Sequence, residues 1–160
     1  MIKRVIVVPS TRFRHVGILD LTEFYRWMKR WFEFNGYWMD SNEKQYIETM
    51  LPGGAKKIEF TWECRKQKSP DFTYVIPITF GFIGIRDVEI QKGDKKIKLQ
   101  RGDFDIRMRA YLEKTGDTGV LRELYERYII KKRIDEYKLD LYNKFYNLIE
   151  DMKEFANVYT

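Results

Sequence analysis

Apolar side chains return at a three-four spacing along the last third of the chain, through Ile134, Tyr137, Leu141, Phe145, Leu148, Met152 and Phe155. That spacing sets them on one side of a long helix, and the seam must be hidden by a sheet or a second chain. Just upstream, Leu121, Leu124, Tyr125, Tyr128 and Ile129 define a first apolar face, entered from a flexible Gly116 to Gly119. Residues 120–157 therefore read as a C-terminal helical region, either one bent helix or two.

A shorter helix is expected after Gly17. Asp20 precedes Leu21 with Glu23 three positions on, the pattern of a capped N-terminus. Leu21, Phe24, Tyr25, Met28 and Phe32 then share a face, and Gly36 supplies the positive backbone angle that ends such a helix.

The rest of the chain has the period of strands. Lys3 to Val8 is β-branched and is expected to stop at Pro9, with Phe13, His15 and the arginines between them extending it or forming an irregular edge. Tyr37 to Leu51 reads as an exposed strand, and Pro52, Gly53 and Gly54 as a turn. Ile58, Phe60 and Trp62 alternate with polar residues, as in a strand with one wet face. Phe72, Tyr74, Ile76, Ile78, Phe80 and Phe82 keep period two with Val75, Ile83 and Ile85 on the reverse side, which predicts a central strand. A short hairpin follows around Gly93 and Asp94, and Gly102 and Asp103 introduce a final strand through Leu112. The sum is a single α+β domain over residues 1–160: a curved antiparallel sheet packed against an N-terminal helix and a long C-terminal amphipathic helix.

Composition narrows the function. Phe, Tyr and Trp make up 16% of the chain, enough to build the core from rings and to leave some for a partner surface. A net charge of +6 favours anionic partners without selecting one. The single cysteine, Cys64, excludes an intrachain disulfide and a cysteine-cluster zinc site, and reads as a small residue within a strand. The most apolar run, Tyr74 to Ile85, is broken by Pro77, Gly81 and Gly84 and reads as a strand rather than a membrane span. With no leader pattern at residues 1–8, the expected location is cytoplasmic.

No catalytic pattern emerges. His15 is the only histidine and has no partner by spacing, no phosphate loop or nucleophile elbow is present, and Gly81 and Gly84 make no dinucleotide fingerprint. Asp103 and Asp105 share a strand face with Arg107 and Arg109, an alternation that stabilises an exposed sheet surface. The reading is therefore a noncatalytic protein without metal or cofactor.

What remains is binding. Trp27 and Trp31 widen the apolar face of the first helix beside Lys29 and Arg30, and Tyr159 lies near the chain end. Lys95, Lys96, Lys98, Arg107 and Arg109 bias the later sheet to positive charge, with Tyr111 beside them as a ring for stacking. The leading reading is an aromatic or apolar patch with a basic rim that contacts a protein, a second copy included. Nucleic-acid binding through Arg107, Arg109 and the lysine hairpin is the alternative. Peripheral membrane contact and a hydrophobic ligand between sheet and C-terminal helix stand behind these.

The segments GDFDIRMRAY (Gly102 to Tyr111), LRELYERYIIKKRIDEY (Leu121 to Tyr137), FYRWMKRWFEFNGY (Phe24 to Tyr37) and PGGAKKIEFTWE (Pro52 to Glu63) together resemble a group of short archaeal proteins of uncharacterised function. These motifs carry packing and turns, so the resemblance implies no catalytic or ligand-binding residue. The element order also resembles a helix-grip fold, which implies a sheet and long helix able to enclose an apolar ligand.

Overall fold

The computed structural model describes residues 3–39, 44–114 and 120–159, with the backbone alone at 3, 44, 45 and 120–130. Its elements follow the order β1 (Lys3–Leu19), α1 (Leu21–Phe34), β2 (Trp38–Met39), β3 (Lys44–Met50), β4 (Lys56–Gln67), β5 (Phe72–Lys92), β6 (Lys95–Lys114) and α2 (Val120–Ala156), closed by a 3₁₀ turn at Asn157–Tyr159. The strands form one antiparallel sheet in the order β1-β6-β5-β4-β2, with β3 also paired to β4. This is the α+β arrangement the residue pattern predicts, with β5 in the centre.

Alternation decides which face is covered. Phe60, Trp62 and Cys64 of β4, Tyr74 to Phe82 at even positions of β5, and Phe104 to Leu112 at even positions of β6 all enter one core. Leu141, Phe145, Leu148 and Met152 of α2 close over them, each 0% exposed, with Ile134, Tyr137 and Phe155 partly buried at the ends of the same seam. Each such side chain contributes about 1.5–3 kcal/mol by leaving water. α2 is one continuous helix, and the side chains of the expected upstream face, Leu121 to Ile129, lie outside the described residues, as does Gly116 to Gly119.

α1 begins and ends as its sequence dictates. Asp20 Oδ1 accepts from the Glu23 amide at 3.2 Å, and Phe24, Met28 and Phe32 are buried. At the other end Gly36 takes φ +82°, its amide donates to the Glu33 carbonyl at 3.0 Å and that of Tyr37 to the Phe32 carbonyl at 2.8 Å. This is the paired-amide stop that a left-handed residue allows, sealed by edge-on contact of the Phe32 and Tyr37 rings at 5.5 Å.

Two strands run further than their sequence punctuation suggests. β1 continues through Pro9 because it is an edge strand, where a missing amide need not break a ladder, and its register shifts between Ile6 and Thr11 absorb the proline. β5 and β6 each run past the glycines expected to divide them. Gly84 takes φ +69° at a register shift between Ile83 and Arg86, and Gly102 lies against that bulge on β6. A Cβ on Gly102 would fall 2.5 Å from Ile85 Cδ1 and 3.2 Å from the carbonyls of Ile83 and Gly84. The two glycines make a bulge inside one hairpin rather than a boundary between two.

Candidate functional site: an aromatic groove beside the first helix

α1 lies on the sheet with two unequal flanks. On one, Phe24 and Trp27 meet Phe155 of α2 at ring-centroid distances of 5.5 and 5.6 Å, beside a shallower hollow of about 300 Å³ lined by Trp27, Phe155, Val158 and the carboxylates of Asp151 and Glu154. On the other, Leu21, Thr22, Tyr25 and Arg26 face Tyr46 of β3, Ile58 and Phe60 of β4, and Phe80 and Phe82 of β5 across a groove of about 480 Å³. None of its lining residues comes from α2.

The groove wall is built from rings. Phe60 and Phe80 stack nearly parallel, 4.3 Å apart and 15° inclined, while Phe82 meets Phe60 edge-on at 5.9 Å. Tyr46 lies 5.9 Å from Phe60 with its hydroxyl donating to Glu48 at 3.3 Å, and Tyr25 approaches Phe60 edge-on at 6.0 Å. Behind this wall Trp62 is buried against Tyr25 and Phe80, and its indole N–H has no acceptor among the described residues. Arg26 is held by Glu23 at 3.0 Å and Lys29 lies 4.6 Å from the Tyr25 ring centre, so the α1 side of the rim is cationic. The lining holds two phenols and one guanidinium but no carboxylate, imidazole or thiol. Its rings offer stacking and burial.

The residues singled out in the sequence are dispersed. Trp27 is half-buried, stacked on Phe155, and Trp31 is half-buried, stacked on Tyr37 at 6.3 Å. Tyr159 is half-buried with Lys92 5.9 Å from its ring centre. Tyr111, on the sheet face away from the helices, is 3% exposed, with the guanidinium of Arg4 4.9 Å and that of Arg109 5.5 Å from its ring centre. That ring has no face open to a base. Arg107 and Arg109 are exposed at mid-strand, whereas Lys95, Lys96 and Lys98 lie toward the hairpin tip, about 30 to 46 Å away at 3.3 Å per residue. Asp103 and Asp105 lie between the two groups and bind Arg14 and Arg12 at 2.6 and 2.8 Å, so they act as surface ion pairs. Hydrogen bonds from Arg14 hold the Asp103 carboxyl below its ordinary range.

His15 is packed: its ring stacks on Phe104 at 6.1 Å and its Nε2 lies 3.0 Å from the Ile18 carbonyl oxygen. Cys64 is a buried free thiol, pushed up from its ordinary value by that burial. Among the described residues no group of histidine, cysteine and acidic side chains could hold a metal ion, and no helix is long and apolar enough to cross a membrane.

A polar cluster that sequence periodicity does not reveal closes the C-terminal end of α1. Lys144 of α2 donates to Asn35 Oδ1 at 3.4 Å, Lys66 lies 5.8 Å from the Tyr37 ring centre, and Lys68 reaches Asp140 at 3.8 Å. Burial raises the Tyr37 and Tyr74 phenols, and desolvation followed by the neighbouring Lys68 lowers Lys66. α1 has no basic residue in its last turn, so these lysines, brought from β4, the turn after it and α2, supply the positive charge its C-terminus favours.

No protein-family model, curated protein or solved structure matches the chain.

Proposed function

We propose that the protein is a noncatalytic binding module and that its site is the aromatic groove beside α1, taking a small, flat, largely apolar ligand. The observation that carries this reading is the contrast between two spaces on the same sheet. The seam under α2 is filled by Leu141, Phe145, Leu148 and Met152, while about 480 Å³ beside α1 is walled by Phe24, Tyr25, Tyr46, Phe60, Phe80 and Phe82. That volume falls within the range of roughly 300–1,000 Å³ usual for small-molecule pockets. A planar ligand would lie against Tyr25, Tyr46 and Ile58, the open part of the lining above the buried Phe60, Phe80 and Phe82, with an electron-rich edge toward Arg26 and Lys29. This reading differs from the protein-contact patch expected at Trp27, Trp31 and Tyr159, none of which lines the groove.

The test is a fluorescence titration with 1-anilinonaphthalene-8-sulfonate, using the wild type and Thr22→Trp. Thr22 is an exposed rim residue, and an indole there fills the groove without touching the α2 seam. Saturable one-site binding in the wild type, weakened at least about tenfold by Thr22→Trp at unchanged melting temperature, supports the reading. Equal binding by both proteins contradicts it. Ile58→Phe, which fills the groove from the sheet side, is the second variant should Thr22→Trp not fold.

A further inference from the structure

We propose that the outer half of the β5–β6 hairpin is an arm that enters the major groove of double-stranded DNA. The pairing pattern leaves it free of strand neighbours. β4 follows β5 only as far as Lys56 opposite Ile85, and β1 follows β6 only as far as Leu19 opposite Gln100. Beyond these points Val88 to Lys92 and Lys95 to Leu99 pair only with each other, five pairs from Val88 opposite Leu99 to Lys92 opposite Lys95. The result is a two-stranded ribbon about 15 Å long.

Its charge is uneven. Residues 86–101 hold six basic side chains against three acidic ones, half the net charge of the chain in a tenth of its length. Asp87 is engaged by Lys98 at 3.3 Å and Gln100 at 3.4 Å, and Glu89 faces Lys98 across the ladder. At the tip, Lys95 and Lys96 are exposed and have no carboxylate partner among the described residues. The tip turn, Gly93–Asp94, uses the positive φ of Gly93, +63°, and the Lys92 ammonium lies 5.9 Å from the Tyr159 ring centre.

The alternation of the strand identifies the partner's shape. Lys92 and Lys95 project from one face of the ribbon, while Lys96 and Lys98 project from the other. A flat anionic surface meets only one of these faces. A groove with phosphates on both walls meets both, and the major groove of B-form DNA is wide enough for a two-stranded ribbon, whereas that of A-form RNA is not. A membrane surface is the poorer fit because the tip carries Lys92, Gly93, Asp94 and Lys95 and no apolar side chain to insert.

The experiment is fluorescence anisotropy with the full chain and a labelled 20-base-pair duplex across a salt series. Four phosphate contacts predict a log K against log salt slope of about −3.6, and Lys95→Ala/Lys96→Ala should reduce its magnitude by about 1.8. The control Lys131→Ala/Lys132→Ala removes the same charge from an exposed stretch of α2 and should leave both affinity and slope unchanged. Thr22→Trp, which blocks the aromatic groove, should bind DNA as the wild type does, so failure of the groove reading and failure of this one are distinguishable. Four results overturn the proposal: no duplex binding at low salt, equal losses in both double variants, single-stranded DNA of the same length binding as tightly as duplex, or binding to phosphatidylserine vesicles without binding to duplex.

Discussion

The Tyr74 hydroxyl donates a hydrogen bond of 2.8 Å to Asp140 Oδ2, tying the centre of the sheet to α2 at the end of the buried seam. Tyr74 is buried to 1% exposure, while Asp140 is partly open and also receives Lys68 at 3.8 Å. Tyr74→Phe keeps the ring among its neighbours and removes only this bond. The expected loss is about 1 kcal/mol, because the acceptor is charged but still solvated. A double-mutant cycle with Asp140→Asn checks it: the two changes should cost less together than the sum of each alone.

Alkaline pH should destabilise the fold. Burial holds the Tyr37 and Tyr74 phenols above their ordinary value of about 10 and the Cys64 thiol above about 9. Below these ordinary values both folded and unfolded chains keep the protons. As pH rises past them the unfolded chain loses its protons first, so unfolding releases protons and stability falls. The melting temperature should be level between about pH 7 and 9 and decline above that, less steeply in Tyr37→Phe/Tyr74→Phe. Calorimetry across the range checks it, and a level profile to pH 11 is the contrary result.

Phe145 and Tyr146 are adjacent on α2 and should respond oppositely to truncation. Phe145 has no exposure and Tyr146 has 38%. Phe145→Ala opens a cavity under the helix and should cost about 3–5 kcal/mol, whereas Tyr146→Ala, which loses contacts to Tyr142 and Phe145, should cost less than about 1 kcal/mol. Urea unfolding of both variants measures the difference.

Gly102→Ala should cost about 1–3 kcal/mol, since the new methyl meets Ile85 Cδ1 and two carbonyl oxygens of the opposing bulge. Ile85→Val removes that Cδ1 and should recover part of the loss in the double variant. The carbonyl contacts remain, so recovery is incomplete.

The elements most plain in the sequence are those whose signals are local and mutually consistent. Asp20, Glu23 and Gly36 bracket α1, and the three-four spacing from Ile134 to Phe155 marks the buried side of α2. Strand ends are harder to read, because glycine and proline serve as turns in one setting and as bulges or edge residues in another. Pro9 is tolerated on an outer strand, and Gly84 and Gly102 matter only as a pair lying against each other across a ladder. The groove has no local signature at all. Its wall needs α1, Tyr46, Ile58 and Phe60, and Phe80 and Phe82 to meet, and alone the Phe and Ile positions read as ordinary core and Tyr46 as part of an exposed strand. The burial of Tyr111 is equally remote, since one of its two covering guanidiniums comes from Arg4 at the far end of the chain.

The groove beside α1, as the place where an apolar ligand is held, is tested most directly by intermolecular nuclear Overhauser effects. With methyl-labelled protein and saturating 1-anilinonaphthalene-8-sulfonate, the bound rings should give contacts to the methyls of Ile58 and Leu21 and none to Leu141 or Leu148. Contacts to the α2 methyls, or none at Ile58 and Leu21 under saturating probe, would contradict the account.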